Sequence, residues 1–349
     1  MNRANACSLQ VCCLDMKDAQ FCFEQMPVSL QIPSLSPNFS VADAQRDTRL
    51  MPFHCGFAHG NQRWLINVHT LPFSVGKGVG LISPYGYGGP LTYNATPEFN
   101  RMAFAAWRLF CQQQGWLVEF IRCHPMAVES VEALGDLAKE NRITVVVDLS
   151  VDDVMVQYNN SAKSKLRACT KAGVTVRWSQ NPKDWKAYGE YYRGVMRALK
   201  VDSPYEFNDA YFEAIGKLST AQLCICEQSG DQIAGDSGAW LSASVFLFGT
   251  ETVEYHLSSS SNFGRSLGTA ALAIHAAALR GQKQGAKWLY LGGGTDTSHD
   301  NPLLFFKRCF SKLTRTFYVA QVIHVPERYS ELLAKAGYDN DNLPKRLIF

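Results

Sequence analysis

Four stretches of this chain carry residue types whose grouping could support chemistry. The first is NPLLFFKRCFS, where Lys307 is set among Leu303, Leu304, Phe305, Phe306 and Phe310. A lysine held in apolar surroundings can offer a fixed positive charge to an oxyanion forming beside it. The second is YLGGG, in which Gly292 and Gly293 follow an apolar, strand-like run. Glycines there allow a ligand close to the backbone, or make a tight turn. The third is SPYGYGGP, Ser83 to Pro90, rich in turn formers and carrying Tyr85 and Tyr87. Such a loop can wrap a ligand, its phenols giving stacking and hydrogen bonds. The fourth is SSSSNFGRSLGTA, where Arg265 and Gly268 precede a helix-like segment. Free N–H groups and the dipole at a helix start make an anion site.

Other features point less sharply. Between Ser161 and Lys200, ten lysines and arginines are opposed only by Asp184 and Glu190. Such a stretch attracts a phosphorylated ligand or is a solvated face. His256, in a strand, and His275, on an apolar helix, read as core residues, and no Ser-His-Asp grouping emerges from the histidines. Asp236, Asp296 and Asp300 are acid–base candidates by location alone. GKGVG at 76–80 is not a P-loop, because no Lys-Ser/Thr comes after a Gly-x-x-x-x-Gly frame.

The elements that must position these groups alternate along the chain. From Trp64, WLINVHTLPFS and GVGLISPY read as strands, and FNRMAFAAWRLFCQQQGW as a helix ending at Gly115. LVEFIRCHP and ITVVVDLS are strand-like. A second series opens with a basic helix over 152–172 capped by Gly173. It continues through the strand VTVRWS, two helices, and three strand-like runs, AQLCICEQSG, QIAGDSGAWLSA and SVFLFGTETVEYHLSS. A helix then leads into KWLYLGGG, a last helix carries Lys307, and TFYVAQVIHV comes after it. Residues 1–50 are weakly patterned and are expected to be partly mobile. Helices alternating with a strand meander predict an α/β fold with mixed sheets.

Composition bounds the rest. A chain of 349 residues suggests about two domains. The net charge of +3 is too small to imply nucleic acid by itself. The 11 cysteines include no Cys-x-x-Cys pair, so they read as free, small core residues, and no metal site is expected. No apolar run reaches the ~20 residues of a membrane-spanning helix, and Asp15 and Asp18 interrupt the N-terminus before any secretory core. The expected location is the cytoplasm.

Taken in order, SPYGYGGP, IRCHP, VVVDLS, the basic helix NNSAKSKLRACTKAGVTV, EYHLSSSS, KWLYLGGG, LLFFKRCFS and FYVAQVIHVPERYSELL resemble the FemABX aminoacyl- and peptidyltransferases over roughly residues 60–335. Arg265-Ser-Leu-Gly268-Thr-Ala270 is similar to the pyrophosphate loop of GNAT enzymes. The resemblance implies two GNAT-like acyltransferase domains in tandem. The first would span 1–150 with 320–349 returning to it, and the second 151–319. It implies transfer of an acyl or aminoacyl group to an amine on a nucleotide- or lipid-linked sugar or peptide, a cell-envelope or polysaccharide precursor. Phe306, through its carbonyl, and Lys307 would then be catalytic. Lys163, Arg167 and Lys171, four apart and so on one helical face, would join Tyr85 and Tyr87 in binding the acceptor. Arg265, Gly268, Gly292 and Gly293 would hold the donor. No tightly bound cofactor is expected, and acyl-CoA or aminoacyl-tRNA would be a co-substrate. DNA is not an expected partner, and the chain leaves room for a peripheral membrane contact.

Two departures from the peptidoglycan enzymes speak against tRNA as donor. No long charged helical hairpin interrupts the second half, and Tyr290-Leu291 replace the acidic residue that precedes the glycines. Arg265 and Gly268 favour CoA, whereas the likeness to FemABX favours tRNA, and both donors stay open. The competing reading is a non-catalytic module that binds a phosphorylated precursor.

Overall fold

The computed structural model describes residues 11–73, 77–200, 207–228, 240–298 and 300–335. The first series is β1 (Cys12–Leu14), α1 (Met16–Glu24), α2 (Pro37–Ala44), β2 (Met51–His59), β3 (Gln62–Pro72), β4 (Val79–Ile82), β5 (Leu91–Tyr93), α3 (Pro97–Gln113), β6 (Trp116–Cys123), α4 (Val128–Leu134) and β7 (Lys139–Asp148). The second is α5 (Asn160–Lys171), β8 (Val174–Ser179), α6 (Pro182–Ala198), α7 (Asp209–Gly216), β9 (Ala221–Gln228), β10 (Trp240–Phe248), β11 (Thr252–Ser260), α8 (Asn262–Leu267), α9 (Thr269–Lys283), β12 (Trp288–Gly293), α10 (Pro302–Arg308), β13 (Thr314–Ile323) and α11 (Pro326–Lys335).

Local chemistry explains these elements. Thr96 caps α3 by accepting from the Phe99 N–H, and Pro97 occupies the first turn. Phe99, Ala103, Trp107 and Cys111 recur at four-residue spacing and are buried. Gly115, at φ +70°, lets the chain turn back into β6.

The strands form one mixed sheet in the order β1-β2-β3-β4-β6-β13-β7-β12-β11-β10-β9-β8, with β5 paired to β3. The join is made by exchange. β13 arrives after the second series yet pairs antiparallel with β6, Val118–Cys123 against Tyr318–Ile323 in reverse. Its other edge pairs with β7, which in turn pairs with β12. The two series therefore share backbone hydrogen bonds at their meeting point.

Three expectations need correction. Residues 11–50 are packed: Phe23 on α1, Phe39 on α2, and Leu30, Ile32 and Leu35 between the two helices are buried, the connection closing over Leu65 and Leu91 of the sheet. The basic helix begins at Asn160, since Asn159 caps it through the Ala162 N–H and a 3-10 turn occupies Val154–Gln157. SVFLF belongs to the same strand as WLSA, and the turn at Gly249 separates TVEYHLSS as β11. Most of QIAGDSGAWLSA lies outside the described residues.

Candidate active site

β11 and β12 run parallel only where Thr252–Glu254 face Trp288–Tyr290. Beyond that, β11 continues to Ser260 against β10 alone. Against β7, the register of β12 shifts between Tyr290 and Gly292, and Gly292 adopts φ +75°. Such a bulge bends the strand end and redirects the chain beyond it. Gly293 answers to close packing: a methyl there would lie 2.8 Å from the Ile143 carbonyl.

α10 comes next, started by Asn301, whose side-chain oxygen accepts from the N–H groups of Leu303 and Leu304. The Asn301 amide also reaches Asp296 Oδ2 at 2.9 Å, which pins the loop leaving β12. Leu304, Cys309 and Phe310 anchor the helix in the core. Lys307 is carried to its buried side, 8% exposed. Its Nζ donates to the Gly293 carbonyl at 2.8 Å, and it forms no ion pair with a described residue. Burial pushes its pKa down to about 7. A buried lysine without a carboxylate is costly, and such groups cluster at functional sites.

SPYGYGGP is clamped from two sides. The Tyr85 N–H donates to Asp43 Oδ2 at 2.8 Å. Arg122 donates from Nη2 to the carbonyls of Ser83 and Pro84, each at 3.1 Å, and its backbone carbonyl accepts from the Gly88 N–H at 2.7 Å. Tyr87 therefore stands edge-on to His124, Tyr290 and Phe317, with ring centroids 4.6, 5.4 and 5.6 Å away. The Tyr290 hydroxyl donates to its oxygen at 2.5 Å. Tyr85 points elsewhere, edge-on to Phe207 at 5.0 Å and His256 at 5.8 Å. Of the two tyrosines, only Tyr87 comes to Gly292 and Lys307.

Phe306 packs edge-on against Phe310, and Lys165 Nζ lies 5.0 Å from its ring centroid. Lys165 also covers Gly268: a methyl there would meet its Cβ at 2.8 Å. Sequence reasoning passed over Lys165 because only folding brings α5 onto α10. The segment around Arg265 is a helical turn, not an open phosphate loop. The Arg265 N–H donates to the Ser261 carbonyl and the Gly268 N–H to the Gly264 carbonyl, both at 2.9 Å. The guanidinium donates to the Ser260 carbonyl at 3.0 Å and to Asn262. Thr269, at the start of α9, is fully buried.

Lys163, Arg167 and Lys171 share a face, but that face looks into a groove of about 440 Å³ between α5 and α9, bordered also by Met155, Leu272 and His275. None of Tyr87, Gly292 and Lys307 borders it. Helical geometry is the reason: Lys165, two residues on from Lys163, takes the opposite side. None of the three groove cations forms an ion pair with a described residue. His275 thus borders the groove, whereas His256 is half-buried, bonded to the Tyr211 hydroxyl at 2.7 Å and pushed down to about 4 by desolvation.

Two buried polar groups escaped the sequence. Glu254 accepts from the Ser34 N–H at 2.8 Å, the Ser34 hydroxyl at 2.6 Å and His124 Nε2 at 3.1 Å. His124 Nδ1 accepts from the Met126 N–H, so Nε2 carries the hydrogen. Burial would raise the Glu254 carboxyl, but His124 and Ser34 outweigh it and hold it below its usual range. The second group resembles a catalytic triad in outline. Ser40 Oγ is 3.2 Å from His69 Nε2, and His69 Nδ1 is 3.5 Å from Asp43. It is an anchor instead. His69 Nε2 lies 2.8 Å from the Ser40 carbonyl, which can only accept, so that nitrogen cannot take the serine proton. All three side chains are inaccessible.

Asp296 is exposed, and the Ser298 N–H and Asn301 amide hold its carboxyl below the usual range, which weakens it as a base. Asp300 is exposed, and Asp236 lies outside the described residues.

No family model matches the chain, and no curated protein matches it in sequence. Solved structures do match in shape. FemX superposes with a TM-score of 0.68 over 93% of this chain and 100% of its own, at 12% identity. The C-terminal domain of a protein assigned as a lysylphosphatidylglycerol synthetase in Agrobacterium fabrum gives 0.57 at 12% identity, covering 92% and 95%. A tandem GNAT protein from the clavulanic acid biosynthesis pathway gives 0.51 at 10% identity, covering 90% and 98%.

Proposed function

We propose a function for this chain on the FemABX-type, tandem GNAT-like fold that it shares with those solved structures. It is an N-acyltransferase that moves an acyl or aminoacyl group from a CoA thioester or an aminoacyl-tRNA ester to an amine on a nucleotide- or lipid-linked sugar or peptide. The observation that carries the reading is Lys307, a buried lysine with no counter-ion among the described residues, at the bulged end of β12. The reaction needs no covalent enzyme intermediate. The protein aligns amine and carbonyl and stabilises the oxygen as it becomes negative. We place the boundary between the two GNAT-like units near residue 150, with the chain beyond 320 returning to the first. Residues 336–349 of that return lie outside the described residues.

The Arg265 and Gly268 amides are engaged within their own turn, and the donor stays open between a CoA thioester and an aminoacyl-tRNA ester. The direct test supplies labelled aminoacyl-tRNA or labelled acyl-CoA with an amine-bearing nucleotide-linked precursor. Label is expected in an acceptor amide; transfer from neither donor would refute the proposal.

We assign the groove between α5 and α9 to the phosphates of the acceptor, on the strength of its cations. Arg167→Ala should then raise the acceptor KM about tenfold to a hundredfold, the worth of one charge-assisted phosphate contact. The donor KM should hold. Initial rates against each substrate decide, and an unchanged acceptor KM would remove the groove from the reaction.

A further inference from the structure

The bulge in β12 turns the Cα of Gly292 towards polar groups on two other elements. A methyl placed there would lie 3.3 Å from Lys307 Nζ and 3.5 Å from the Tyr87 hydroxyl. Chain neighbours aside, no other described heavy atom comes within 4 Å of that point. The Cα of Gly292 thus faces two hydrogen-bonding side-chain groups.

The positions of the protons fix what those groups present. Tyr290 donates to the Tyr87 oxygen, so the hydrogen of Tyr87 remains to be given. Burial pushes the Tyr87 phenol up to about 12, so it keeps that hydrogen at neutral pH. Lys307 gives one hydrogen to the Gly293 carbonyl and retains at least one more, charged or neutral. Neither donor must move to meet a ligand: Tyr87 is fixed by three aromatic neighbours, and Lys307 by the Gly293 carbonyl.

We propose that Tyr87 and Lys307 together form the oxyanion hole of the transfer reaction, with Gly292 as its floor. This rests on the acyltransferase reading above and gives Tyr87 a catalytic role beyond wrapping the acceptor. The amine lone pair forms the new C–N bond, and the carbonyl π pair moves onto oxygen between the two donors. Collapse restores the carbonyl and breaks the ester or thioester bond. The leaving oxygen or sulfur departs with that electron pair and takes the proton that the amine nitrogen gives up.

Tyr87→Phe keeps the ring and deletes only the hydroxyl. Its single-turnover rate should fall by about tenfold to a thousandfold, with KM for either substrate little changed and an unaltered thermal melt. Gly292→Ala puts a methyl beside both donors, crowding the place the oxygen would take, and should lose at least as much rate. Adding Tyr87→Phe to it should remove little more, because the methyl already keeps the oxyanion from both donors. Its melt is read alongside, since alanine is strained at φ +75°. A full rate in Tyr87→Phe or in Gly292→Ala, or a loss confined to KM, overturns the oxyanion hole and leaves the transferase standing. A native protein that transfers from neither donor overturns both.

Discussion

Lys307→Met should lose at least about a hundredfold in turnover and melt no lower than the native protein. The two halves of this expectation have one cause. The ammonium is buried and, among the described residues, hydrogen-bonds the Gly293 carbonyl alone, so the fold disfavours the charge. Its folded pKa of about 7 lies below the ordinary 10.5. Between those values the unfolded chain binds more protons, so stability rises with pH. The destabilisation is full below about pH 7 and fades towards the ordinary value. Methionine fills similar space without charge, so the variant should gain most in melting temperature at pH 6 and least near pH 10. Stability given up at a site in this way is common where function needs a strained group. Single-turnover transfer beside melts at the two pH values tests both halves. Near-native turnover would refute the catalytic role, and a lower melt at pH 6 would mark Lys307 as structural.

The largest stability effect should come from Glu254→Ala. This carboxylate takes hydrogen bonds from Ser34, in the N-terminal segment, and from His124, just after β6, while it sits on β11. Removing it leaves three buried donors without an acceptor. We expect a loss of about 3–5 kcal/mol, the lower part of the range for three unsatisfied buried donors at about 1–3 kcal/mol each. Glu254→Gln, which keeps one acceptor oxygen, should cost less. The sign with pH is opposite to that of Lys307. The folded carboxyl lies below its ordinary 4.5, so its contribution is present above that value and is lost as pH falls through the folded pKa. The gap between native protein and Glu254→Ala should therefore narrow in acid. Denaturant unfolding at pH 7 and pH 4 measures it, and a gap of a few tenths of a kcal/mol at pH 7 would show that water replaces the carboxylate.

Much of the fold could be read because it depends on neighbours in sequence. The apolar stripe of α3, its Thr96 cap and the stop at Gly115 act within one helix. The lysine of α10 could be singled out for the same reason, since its apolar frame lies within a few residues on either side. Distances across the fold left no such trace. Glu254 and Ser34 are 220 positions apart, and Tyr87 and Tyr290 are 203 apart. Nothing local marks either pair. Residues 11–50 looked weakly patterned because their burial is set by the sheet they cover.

Sequence alone thus determined many of the helices and strands beyond residue 60, and that α10 would present a lysine among apolar residues, because these depend on local periodicity, caps and glycine conformation. Tertiary structure decided which of the candidate residues meet. It brought Tyr87 to Lys307 over Gly292, turned Lys163, Arg167 and Lys171 to a separate groove, and closed the turn at Arg265. The reason is geometric. A helix face or a loop tip has a direction only once the sheet exists, and here the sheet is joined by β13 and β7, which no local signal pairs.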